Sequence, residues 1–141
     1  MTFSVPSADS IPRPDPSGAD AVFWDALRDE GVLKFERCAA CGGFRHPPRP
    51  VCAQCGSAEA EWVTSGGTGE VWSFTVIHAP TLPAFMDQVP YGAVVVRLDE
   101  GVFLVSNLLD CPVDELTVGD RVELVATRVD DELTLPLFRR T

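Results

Sequence analysis

Residues 1–18 carry apolar and polar positions with no helical or strand period. Prolines at 6, 12, 14 and 16 block helix and central strand alike, so this segment reads as an extended arm. The pattern changes in ADAVFWDALRDEG. Phe23 and Leu27 stand four residues apart with Trp24 beside them, Asp20 is placed to cap a helix and Gly31 to end it. An amphipathic helix within 19–31 is predicted. About three turns are too few to be stable alone, so the helix needs a surface to lie on. Its aromatic face either packs on its own domain or docks on a partner, which makes Phe23, Trp24 and Leu27 the candidate partner-binding residues.

VLKFERC, residues 32–38, alternates and predicts a short strand. SAEAEW reads as a connector, and from Trp62 onward the period is that of strands. WVTSGGTGEVWSFTVIHAP sets a Gly-rich turn at 66–69 before a strand through Val71, Phe74 and Val76. YGAVVVRLDEGVFLVSNLLD is a hairpin turning at Asp99-Glu100-Gly101, and the last segment folds back around Asp130-Asp131. About five strands on short turns in the last eighty residues predict a mainly β chain ending in a small Greek-key barrel, the OB-fold leading. The expected division is an arm at 1–18, a helix at 19–31, a cysteine-bearing segment at 32–60, which the spacing described next makes a zinc ribbon, and the barrel at 61–141.

The densest chemistry lies between the helix and the barrel. RCAACGGFRHPPRPVCAQCG holds Cys38, Cys41, Cys52 and Cys55 as two C-x-x-C pairs. Such a pair bends the backbone so that both sulfurs face one point, and two pairs present four thiolates tetrahedrally to one soft cation. Gly42-Gly43 and Gly56 follow the pairs, where positive φ costs glycine little. Zinc is the expected metal, with iron in a rubredoxin-like centre as the second candidate. Four thiolates leave no open coordination position, so the ion is structural: it staples a segment too short to own a core. His46 reads as a surface-loop residue rather than a ligand, and Cys111 as a buried thiol.

Composition narrows the function. The formal charge is −10, with 21 acidic against 11 basic residues. That surface repels phosphate backbones, so no nucleic-acid partner is expected. The charge is uneven: residues 33–56 carry Lys34, Arg37, Arg45 and Arg49 against Glu36 alone, while the barrel is strongly acidic. No apolar run is long enough for a transmembrane helix, and the start lacks a signal peptide's basic and apolar regions. The expected compartment is the cytoplasm. SGGTG, residues 65–69, lacks the Lys-Ser/Thr of a phosphate loop. His78 is the one residue an independent enzyme would be built on, and a lone histidine makes a poor catalytic set. No catalytic residue is assigned.

Taken in order, FWDALRDEG, RCAACGGFRHPPRPVCAQCG, WVTSGGTGEVWSFTVIH, PYGAVVVRLDEG, LTVGDRVEL and LPLFRR make the chain resemble the small zinc-ribbon/OB-fold proteins that accompany thiolase-like acyl-CoA enzymes. The match spans roughly residues 21–139. The resemblance implies a helix, a rubredoxin-like ribbon and a five-stranded OB-fold. It also implies a non-catalytic accessory subunit of a hetero-oligomer, whose partner is a thiolase or a lipid-transfer-protein-like aldolase and in some cases an enoyl-CoA hydratase. Steroid side-chain or related lipid catabolism is the implied setting, with acyl-CoA met through the partner, whose CoA channel such subunits help to complete. Two other readings compete: a nucleic-acid module in which Trp72, Phe74 and Tyr91 stack bases, although core packing is the better reading of these rings, and an independent acyl-CoA enzyme using His78.

Overall fold

The structure is a computed structural model describing residues 2–141. The order of elements is α1 (Ala21–Glu30), β1 (Lys34–Cys38), β2 (Phe44–Arg45), β3 (Ala60–Thr64), β4 (Thr68–Ile77), β5 (Tyr91–Leu98), β6 (Phe103–Ser106), β7 (Arg121–Arg128) and β8 (Thr134–Arg140), with short 3-10 turns at Pro83–Gln88 and Val113–Glu115. Two antiparallel sheets result. A three-stranded sheet in the order β2-β1-β3 carries the cysteines, and a five-stranded sheet runs β6-β5-β4-β7-β8. The second sheet is curled into a half-barrel of OB type. A single bridge, Leu108 to Phe138, and the bond from Ser106 Oγ to the Pro136 carbonyl at 2.6 Å tie its two edges together.

Strand β3 pairs with β1 from Cys38↔Ala60 to Lys34↔Thr64. The stretch SAEAEW is therefore partly strand, and Trp62 belongs to the ribbon sheet rather than to the barrel. The barrel's first strand starts at Thr68, after the turn at Gly67. Gly69 lets β4 and β5 approach closely: a Cβ there would stand 2.3 Å from the Arg97 carbonyl oxygen.

One hydrophobic core serves helix, ribbon base and barrel together. Phe23 and Leu27 of α1, Leu33 just before β1, Phe35 of β1, and Val71, Val94, Val96, Val122 and Phe138 of the barrel form one buried cluster. Helix α1 ends as its sequence predicts: Gly31 is left-handed at φ 69° and donates to the Leu27 carbonyl at 3.1 Å. Its start differs. Asp20 makes no side-chain cap bond, because its carboxylate accepts from Trp24 Nε1 at 3.0 Å instead.

The arm has no regular secondary structure, yet it is seated. Phe3 is buried with Tyr91 and Leu137 in a second core cluster, and Ile11 is buried too. Gln88, itself buried, clasps the Ser4 backbone by accepting from its N–H at 3.0 Å and donating to its carbonyl at 2.9 Å. Arg13 closes the far end on Asp130, at 2.5 Å.

Candidate metal centre and its surroundings

The two knuckles are built alike. The Gly42 amide donates to the Cys38 carbonyl at 2.9 Å, and the Gly56 amide to the Cys52 carbonyl at 2.9 Å. The Cys38 amide donates to Gly43 and the Cys52 amide to Ser57, each at 2.8 Å. Gly42 and Gly56 take positive φ, 78° and 76°; Gly43 does not. The four sulfurs lie within 4.8 Å of one another, with Cys38–Cys55 and Cys41–Cys52 each at 3.6 Å. A tetrahedral zinc with Zn–S of about 2.3 Å sets its sulfurs roughly 3.8 Å apart, so this cluster fits one such ion with little adjustment. Cys38 and Cys52 are buried, Cys41 and Cys55 exposed.

Backbone amides prepare the thiolates. The Cys41 N–H, then that of Ala40, lowers the Cys38 pKa to about 6, and the Cys55 and Gln54 amides lower that of Cys52. Cys55 moves up, to about 11: the Ser57 amide favours its thiolate, but the Cys38 sulfur, burial and the other two sulfurs outweigh it. A bound divalent cation reverses that opposition, because the mutual repulsion of four anions is what it neutralises.

Arg45 stands beside this cluster and is nearly buried, with a side chain 8% exposed, and its Nε donates to Glu36 Oε2 at 2.7 Å across β1–β2. The Glu36 hydrogen bond, and more weakly the Cys38 and Cys52 sulfurs, raise its pKa. Its Nη1 is buried without a partner. His46 departs from the expected surface-loop residue. Its ring lies 5.0 Å from Phe23 and 5.2 Å from Phe35, its Nδ1 is buried without a partner, and burial lowers its pKa. It packs between helix and ribbon and is no part of the sulfur cluster.

The other candidates scatter. His78 is exposed just past β4. Cys111 is buried in the main core, and its thiol pKa is raised by that burial. Phe23 and Leu27, read from the sequence as partner contacts, are 2% and 1% exposed and face this chain's own core. The cause is β1: Leu33 and Phe35 lie under the helix and take up its apolar face. Trp24, half-buried, packs edge-on to Phe23 at 5.1 Å. Tyr91 is buried, as core packing requires, but Trp72 and Phe74 are 51% and 38% exposed. Phe103 and Val105, which the sequence reading did not single out, are exposed as well. Their alternation against buried Leu104 and Ser106 was the available signal. Among the described residues no helix is long and apolar enough to cross a membrane.

Comparison with known proteins agrees with this geometry. Residues 24–61 match the ChsH2 rubredoxin-like zinc ribbon domain, and residues 62–127 the ChsH2 C-terminal OB-fold domain. A DUF35 domain-containing scaffold protein of Methanothermobacter thermautotrophicus is 33% identical over 110 residues, which cover 77% of this chain and 82% of that protein. The chain belongs to the DUF35/ChsH2 family. A probable enoyl-CoA hydratase alpha subunit of Thermomonospora curvata is 43% identical over 128 residues, or 90% of this chain. The 3-oxo-4,17-pregnadiene-20-carboxyl-CoA hydratase alpha subunit of Mycobacterium tuberculosis is 36% identical over 122 residues, or 86% of this chain. The matched stretches span only 40% and 37% of those two relatives. Among solved structures, a chain described as Ltp2-ChsH2(DUF35) aldolase superposes with a TM-score of 0.81 at 41% identity, covering 91% of this chain and 98% of that one. A DUF35-family protein of Sulfolobus solfataricus, at 18% identity and a TM-score of 0.61 over 89% of this chain and 87% of that one, shares the fold.

Proposed function

We propose that this chain is a non-catalytic scaffold subunit that binds and supports a thiolase-like acyl-CoA enzyme, a retro-aldolase or thiolase acting on a lipid-derived acyl-CoA such as a steroid side chain. The observation that carries this reading is the near-complete likeness to the DUF35 chain of an aldolase complex, 98% of which is covered. The site chemistry supports it. A four-cysteine cluster of this kind offers no open coordination position, and His78 stands exposed at the end of a strand without an orienting group. Within such an assembly the ribbon metal is structural, Cys38, Cys41, Cys52 and Cys55 hold it, and the acyl-CoA chemistry belongs to the partner, whose CoA channel this subunit borders. An enoyl-CoA hydratase is the natural third member, since relatives carrying this region are named as hydratase alpha subunits.

Co-expression with a thiolase-like enzyme tests the proposal. The two chains are expected to co-purify, and the enzyme's turnover or solubility to depend on this subunit. The subunit alone is expected to show no thiolase, aldolase or hydratase turnover. Turnover by this chain alone that is lost in His78→Ala would overturn the reading.

A further inference from the structure

Acids outnumber bases almost two to one in this chain, so a guanidinium without a carboxylate is notable. Of the eleven basic residues only Arg37 and Arg49 have no carboxylate partner among the described residues. Both lie on the ribbon. Arg37 stands 5.9 Å over the Phe44 ring, and Arg49 lines a shallow cavity of about 190 Å³ with Phe44 and, from the barrel, Phe103.

At Phe103 the outer barrel face begins. Strand β6 alternates, sending Leu104 and Ser106 inward and Phe103 and Val105 out, 47% and 72% exposed. The register places Val105 opposite Val95 and Phe103 opposite Arg97. Trp72 joins them from β4. The β4–β5 register shifts between Val71 and Ser73, which leaves Trp72 as the unpaired bulge residue, and its ring meets Phe103 edge-on at 5.0 Å. A bulge re-aims a side chain, and this one holds an indole half in water against another exposed ring. Single exposed apolar residues need no explanation; a contiguous group with an indole at its centre does. Its exposed apolar area is on the order of 300 Å², less than half of what each partner gives to a standard interface of about 800 Å² a side. An interface built on it must therefore take in neighbouring surface, and the adjoining neighbour is the Arg37–Arg49 flank.

We propose that the Trp72–Phe103–Val105 face and the Arg37–Arg49 flank form one docking surface for the thiolase-like enzyme, whose matching surface is apolar at its centre and carries carboxylates at its rim. This rests on the scaffold reading above and names its surface. The apolar centre supplies the affinity, with Trp72 as anchor. The two guanidinium groups without a carboxylate partner supply orientation, and they do so from the one basic stretch of an acidic chain.

The test uses the full chain, loaded with zinc, against the immobilised aldolase of the Ltp2-ChsH2(DUF35) complex as probe. The unaltered chain is expected to bind. Trp72→Ala and Val105→Glu should each weaken binding more than 10-fold. Arg37→Glu with Arg49→Glu should slow association and flatten its salt dependence. Leu82→Glu, at an exposed site just before the 3-10 turn, should bind as the unaltered chain does. Zinc content and far-ultraviolet circular dichroism report folding for each, and the arginine pair keeps the proposal testable if Val105→Glu does not fold. Binding of the unaltered chain with no loss in any face or flank variant overturns the docking surface and leaves the scaffold reading standing. Failure of the unaltered chain to bind removes both.

Discussion

The two ends of the ribbon are held by different physics. Its base is ordinary core: Leu33 and Phe35 are 1% and 0% exposed and share one cluster with the helix and the barrel. Its tip, from Cys38 to Cys55, sets only half-buried Phe44 and the His46 ring against that cluster and otherwise rests on two amide-lined turns and four sulfurs. The barrel needs no such device, since Val71, Val94, Val96, Val122 and Phe138 are buried in the apolar cluster it shares with the helix and the ribbon base. The stability of this protein is therefore divided across a strand: β1 is anchored apolar at Phe35 and delivers a metal ligand three residues on.

The sharpest way to break that division is Cys38→Ser. Structural zinc in small domains contributes on the order of 10 kcal/mol to local folding. Metal stoichiometry should fall from one per chain toward zero, and limited proteolysis should cut within 38–57. The β-sheet circular dichroism of the barrel should persist. Loss of all sheet signal would mean that tip and barrel are one cooperative unit.

Phe35→Ala tests the other half. It removes a fully buried ring beneath the helix, and such truncations cost about 3–5 kcal/mol. The expected result is a large drop in Tm for the whole chain with zinc stoichiometry unchanged in the folded fraction. A variant that loses metal but keeps its Tm would show that the base of the ribbon belongs to the tip.

The smallest effect concerns the arm. Arg13 lowers the Asp130 pKa to about 2, helped by the Glu132 and Leu133 amides. A carboxylate depressed in the folded state stabilises it above its unfolded pKa near 4, and loses that contribution as pH falls through the folded value. Proteolytic protection of residues 8–16 should thus be constant from pH 7 to about 5 and decline between about pH 4 and 2. In Asp130→Asn it should be weaker and independent of pH over that range.

Much of this was legible in the sequence, for physical reasons. Four cysteines in two short pairs leave few geometries, and the Asp99-Glu100-Gly101 and Asp130-Asp131 turns fix the hairpins β5–β6 and β7–β8. The arm was harder to read. Phe3 and Ile11 are two apolar residues in a proline-rich stretch with no period, and the core partners of Phe3, Tyr91 and Leu137, are more than eighty residues away. The inward turn of Phe23 and Leu27 depends on β1 lying beneath them, a fact about packing rather than spacing. Trp72 escaped because an indole in a strand reads as core, although alternation from buried Gly69 and Val71 places it on the outer face. His46 escaped because a histidine in a proline-rich loop looks wet, and only the approach of helix and ribbon dries it.

A sheet that curls without a continuous seam keeps two edges, and unpaired strand edges invite other strands. Here the segment after β6 meets β8 at a single bridge, Leu108 to Phe138, and the arm residues Phe3, Pro6 and Ile11 border a cavity alongside Ser106, Leu135 and Pro136. Pro136 offers no N–H to an intruding strand, and the arm occupies the approach. Residues 3–12 thus cover this edge and stand where an intruding strand would have to lie. In the scaffold proposed above, such cover would leave the Trp72–Phe103–Val105 face as the adhesive one.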